Sequence, residues 1–136
     1  MQSSYTYPAI FNYGSDGISI SFPDLPGCFS QADSTEEALK NSEEALGLWM
    51  YNLEEDNEQI PLPTPIEHIN CSQNEKVFLI KTWMPLVRTQ IEDQSVKKTL
   101  TIPKWLNTIA EEKGVNFSQV LQAALKEYLN IQKKRL

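Results

Sequence analysis

The sequence predicts an α+β protein of two domains: a sheet-and-helix domain over residues 1–92 and a strand-helix-helix module over residues 93–136. Three observations predict it. Short β-prone runs with period-two alternation fill residues 5–32 and lead into one long helical pattern. A second, compact pattern of one strand and two helices follows residue 95. The charge reverses between them. Residues 1–95 hold four cations (Lys40, Lys76, Lys81, Arg88) against fifteen acids, a net of −11. Residues 96–136 hold eight cations against three acids, a net of +5, so the chain's −6 hides two opposite domains. This asymmetry points to a cationic partner for the first domain and polyanionic nucleic acid for the second.

Residues 5–13 and 17–22 read as a hairpin, because GSDG between them tolerates positive φ. Alternation in ISISF puts Ile18, Ile20 and Phe22 on one face. PDLPG then turns the chain, and residues 28–32 read as a third strand. Ser34 and Glu37 fit a capping box, which starts a helix carrying Ala38, Ala45, Leu46, Trp49 and Leu53 as its apolar stripe. The acidic run Glu54, Glu55, Asp56 and Glu58 is expected to be solvated where that helix ends. IPLPTPIEHI is too rich in proline for a central strand and reads as an extended connection. VFLI beyond it is a continuous apolar run suited to a buried strand, and polar residues 88–95 read as the linker.

No run approaches the roughly 20 apolar residues of a membrane span, and the N-terminus lacks the basic and apolar stretches of a signal peptide, so a cytoplasmic protein is expected. Cys28 and Cys71 are isolated, and the single histidine, His68, lies near only one of them. Reduced thiols are expected, with neither a disulfide nor a metal site.

One strand and two short helices cannot bury a core alone, so the C-terminal module is expected to dimerise. Two antiparallel copies of VKKTLTI would make a ribbon with Leu100 and Ile102 inside, packed on Trp105, Leu106, Ile109, Val120, Leu121, Ala124, Leu125 and Tyr128. Lys97, Thr99 and Thr101 would project from the other face, on a ribbon sized for the DNA major groove. Residues 96–129 thereby resemble the ribbon-helix-helix repressors. That resemblance implies a phosphate clamp at the start of the second helix, here Asn116, Phe117 and Ser118. The ribbon carries no arginine, unlike many such repressors.

YPAIF, DGISISFPDLPGCFSQADSTEEAL and the helix ending in NLEED resemble the HicB antitoxin family over roughly residues 5–66. The resemblance implies a partial ribonuclease H-like sheet with a helix. It also implies a partner, the HicA toxin, a small basic ribonuclease that cleaves messenger RNA with a catalytic histidine. The expected function is therefore that of a non-enzymatic, cofactor-free antitoxin that neutralises a HicA-like toxin and represses its own operon. Trp83, Met84 and Leu86 read either as core or as toxin contacts. One rival reading is a ribbon-helix-helix regulator whose first domain senses a small ligand. Another gathers Asp16, Asp24 and Asp33 into a metal-dependent nuclease centre, but each aspartate has a simpler place in a turn or at the helix entrance.

Overall fold

A computed structural model describes residues 1–131 and divides the chain into two units, Met1–Gln94 and Ser95–Leu136. In the first unit, β1 (Ser4–Gly14), β2 (Gly17–Ser21), β3 (Phe29–Ala32) and β4 (Glu75–Trp83) form one antiparallel sheet in the order β3-β2-β1-β4. The long helix α1 (Thr35–Glu55) and the short α2 (Met84–Glu92) complete it.

Alternation builds the core. Tyr5, Tyr7, Ala9 and Phe11 of β1 are buried, with Ile18 and Ile20 of β2 and Ile80 and Thr82 of β4 beside them in register. Helix α1 covers this face. Its N-cap is Ser34, whose hydroxyl accepts from the Glu37 amide at 3.2 Å, and Glu36 and Glu37 complement the positive end of the helix dipole. The Tyr13 and Thr35 hydroxyls share a hydrogen bond of 2.8 Å at one end of α1, and the Tyr5 hydroxyl donates to Glu54 at 2.8 Å at the other. From Thr35 to Glu54 a helix rises about 28 Å, and from Tyr13 to Tyr5 a strand runs about 27 Å, so α1 matches β1 in length.

The enclosed line of α1 is Ala38, Ser42, Leu46, Gly47 and Met50, whereas Ala45, Trp49 and Leu53 are only half-buried. Small residues decide this. A Cβ at Gly47 would lie 2.9 Å from a Val87 methyl and 3.0 Å from the Thr82 hydroxyl, so the absent side chain is what lets α1 approach β4 and α2. The PDLPG turn closes against the same helix: Gly27 has φ +101°, and a Cβ there would meet the Trp49 ring at 2.9 Å.

The expectations for VFLI and for residues 88–95 need correction. VFLI is not a continuously buried strand: Ile80 is enclosed, Val77 and Phe78 are half-buried and Leu79 is exposed, because only one face of the sheet is covered. Residues 88–95 are not a linker throughout, since α2 runs to Glu92. Met84, Val87 and Ile91 recur at helical spacing and Pro85 occupies the first turn, so a short amphipathic helix wins over the polar composition.

The second unit contains α3 (Lys104–Glu112) and α4 (Phe117–Tyr128). Gly114, at φ +67°, ends the first, and the Asn116 side chain caps the second by accepting from the Gln119 amide at 3.1 Å. The stretch VNFSQVLQAALKEYLNIQKK, residues 115–134, reads in the sequence as one helix, but α4 ends at Tyr128 with Asn130 at φ 57°; residues 132–134 of that stretch lie outside the described residues. Residues 96–103 join no ladder and are exposed. The expected strand has no neighbour within its own unit to pair with.

Candidate functional site

Arg88, Glu54 and Tyr5 join three elements at one end of the first unit. Arg88 Nε donates to Glu54 Oε1 at 3.1 Å and Nη2 donates to Oε2 at 2.7 Å, a bidentate pair. The same Nη2 donates to the Gln2 carbonyl at 2.8 Å. Glu54 is 4% exposed at its side chain and Arg88 22%, so Glu54 is not the solvated acid its place in the run suggested. Burial alone would raise the Glu54 pKa, but the hydrogen bonds from Arg88 and Tyr5 outweigh it and hold the carboxyl below its ordinary value. The sequence signal was available: Arg88 is the only arginine in residues 1–95.

With Glu54 spent on Arg88, the remaining acids of the run, Glu55, Asp56 and Glu58, are exposed. Glu92 of α2 adds to them. The Tyr51 phenol is pushed above its usual value, first by burial and then by the charges of Glu55 and Glu92.

Of the candidate apolar contacts, Met84 is wholly buried in the core, which removes it from any contact surface. Trp83 and Leu86 are about half exposed. The alternation of β4 explains the split: Trp83 follows Leu79 and Lys81 on the uncovered face of the sheet, while Thr82 and Ile80 face α1.

The three aspartates are dispersed over separate tasks. Asp16 sits in the β1–β2 turn, and the Asp33 amide donates to Glu37 Oε1 at 3.4 Å beside the helix cap. Asp24 accepts from the Thr64 amide at 2.9 Å and from the Thr64 hydroxyl, tying the proline-rich connection to the PDLPG turn. Among the described residues, no group of three His, Cys, Asp or Glu side chains is placed to hold a metal ion. Burial pushes the Cys28 thiol up to about 11, so it stays protonated at neutral pH, and its Sγ faces the Ala45 carbonyl at 3.7 Å. His68 is exposed at the end of a 3-10 turn, Ile66–His68.

In the second unit Lys97, Thr99 and Thr101 are exposed, and so are Leu100, Ile102, Trp105, Leu106, Ile109, Val120 and Leu125. Leu121 is half-buried. Leu100 and Trp105 reach 63% and 65%, an exposure far above what a lone soluble domain gives its apolar stripe. Asn116, Phe117 and Ser118 open α4, where the first-turn amides point outward from the positive end of the helix.

The sequence profile described as HicB_like antitoxin of bacterial toxin-antitoxin system matches residues 7–124. A 14.9 kDa protein from the rep-hol intergenic region of Haemophilus phage HP1 is 33% identical over 100 residues, 74% of each chain. Antitoxin HicB 1 of Photorhabdus laumondii is 38% identical over 80 residues, 56% of this chain and 52% of that one. Among solved structures, a chain of a toxin-antitoxin complex from Streptococcus pneumoniae superposes with a TM-score of 0.61 at 28% identity, covering 92% of this chain and 99% of that chain.

Proposed function

Because the chain belongs to the HicB-like antitoxin family of bacterial toxin-antitoxin systems, we propose that it neutralises a small basic HicA-like ribonuclease and represses its own operon as a DNA-bound dimer. One observation carries the division of labour. The boundary between the two structural units, Gln94 to Ser95, falls where the charge reverses from −11 to +5. An anionic unit suits a cationic RNA-binding surface, and a cationic unit suits the phosphate backbone.

In this reading residues 1–94 have a partial ribonuclease H-like fold and act on the toxin. The acids Glu55, Asp56, Glu58 and Glu92 supply long-range attraction, and the exposed Trp83 and Leu86 supply apolar contacts. Residues 95–136 form a ribbon-helix-helix dimer. Leu100, Ile102, Trp105, Leu121 and Leu125 close its core against a second copy, which the exposure of the first three and of Leu125 supports. Lys97, Thr99 and Thr101 read base edges, and Asn116, Phe117 and Ser118 hold a phosphate. Neither activity uses a cofactor or a catalytic group of this chain.

The electrostatic half of the proposal has a kinetic signature. Association of the full chain with the toxin should slow as salt rises, because the Debye length is only about 8 Å at physiological ionic strength. Neutralising Glu55, Asp56 and Glu58 together should slow it further and flatten the salt dependence, while dissociation changes less. Glu54 is kept, since its carboxylate holds α2. Stopped-flow rates at two salt concentrations measure this. A rate that ignores salt in both proteins removes the electrostatic mechanism.

A further inference from the structure

We propose that the proline-rich connection after α1 is a pre-formed docking element, with Leu62 as an apolar anchor for the cationic toxin. This deepens the antitoxin reading and rests on it. Apart from Met1, Leu62 is the most exposed large apolar side chain of the first unit, at 88%. A single exposed leucine is ordinary, but this one stands on backbone that is held on both sides.

On one side, the buried Tyr7 hydroxyl donates to the Pro61 carbonyl. On that same side Ile60 packs against the core, and on the other Asp24 accepts two hydrogen bonds from Thr64. Between these ties the sequence is Pro61-Leu62-Pro63-Thr64-Pro65, in which each proline fixes its own φ and biases the residue before it toward extended backbone. The ordering cost of the segment is therefore met on folding, so a partner that covers Leu62 gains contact with little further loss of entropy.

Charge identifies the occupant. Residues 41–75 contain no lysine or arginine and eight acids, of which Glu55, Asp56 and Glu58 are exposed and immediately precede the loop. Asn57, at φ 52°, turns the chain out of α1, and the four residue steps from Glu58 to Leu62 span at most roughly 14 Å. An apolar anchor that closely follows exposed acids in the chain fits a basic surface with an apolar recess. It does not fit a second copy of the same unit, which brings another −11.

The test uses the full chain and the cognate HicA-like ribonuclease of the proposed function, immobilised in an interferometry assay. Leu62→Asp is expected to dissociate at least tenfold faster than wild type, and Leu62→Ala several-fold faster. Helix content and thermal midpoint should be unchanged, because the side chain contacts solvent. Dissociation of Leu62→Asp within twofold of wild type overturns the proposal and leaves the antitoxin reading standing. Unchanged dissociation with an altered oligomeric state also overturns it, assigning the loop to contacts between copies. If the wild-type chain itself does not bind, the antitoxin reading falls and the proposal with it.

Discussion

Leu100→Asp is expected to abolish dimerisation of the C-terminal unit and, with it, operator binding. Leu100 is 63% exposed in the single chain, and a ribbon of two antiparallel copies would bury it against Trp105, Leu121 and Leu125 of both. Burying a leucine contributes about 1.5–3 kcal/mol, and the variant replaces that gain, twice per dimer, with a carboxylate that has no partner. Summed over two copies, that loss is comparable with the whole stability of a small folded unit, about 5–15 kcal/mol, and an obligate dimer has no folded monomer to fall back on. Alanine at Lys97, Thr99 and Thr101 should behave differently, lowering operator affinity in gel shift while sedimentation still reports a dimer. If Leu100→Asp remained dimeric and bound DNA, the ribbon assignment would be wrong.

Removing Arg88 has the next largest expected effect. Arg88→Met keeps most of the side-chain volume but leaves the Glu54 carboxylate, 4% exposed, with only the Tyr5 hydroxyl. Breaking a fully buried pair in this way costs about 3–5 kcal/mol; with Arg88 22% exposed, about 2–3 kcal/mol is expected. The pH dependence follows from the lowered pKa of Glu54 in the folded chain. A lowered carboxylate contributes stability that is present above the unfolded value, near 4.3, and is lost as pH falls through the folded one. In the variant Glu54 is buried without its cation and favours the protonated form. The gap between wild type and variant, read from urea midpoints, should therefore be wide at pH 7 and narrow at pH 4. An equal gap at both would show that the ion pair is not what ties α2 to α1.

Much of this architecture is legible in the sequence where local chemistry and periodicity agree. The β1–β2 hairpin, the Ser34 cap, the Asn116 cap and the Gly114 stop each follow from residue types that admit few conformations. Positions where local composition and tertiary context disagree are the ones misread. Residues 88–92 look like a linker because they are polar, yet the buried Met84 and Val87, which packs closely on Gly47 of α1, anchor them as a helix, and the Gly47 contact lies in no local pattern. Glu54 lies in an acidic run and differs from Glu55 only by the rotation of the helix, which turns it toward Tyr5. Met84 is apolar like Trp83 and Leu86, and only the face on which β4 ends separates the buried one from the exposed two. Leu62 is invisible for another reason: its significance lies in Tyr7 and Asp24, distant in sequence, which fix the loop on either side of it.

The proposed antitoxin role is tested most directly by measuring cleavage of a messenger RNA by the cognate HicA-like toxin while the chain is titrated in. The account predicts that cleavage falls in proportion to the chain added and ceases near equimolar ratio, with RNA binding by the toxin lost in step. Cleavage that continues undiminished in several-fold molar excess of the chain would contradict it.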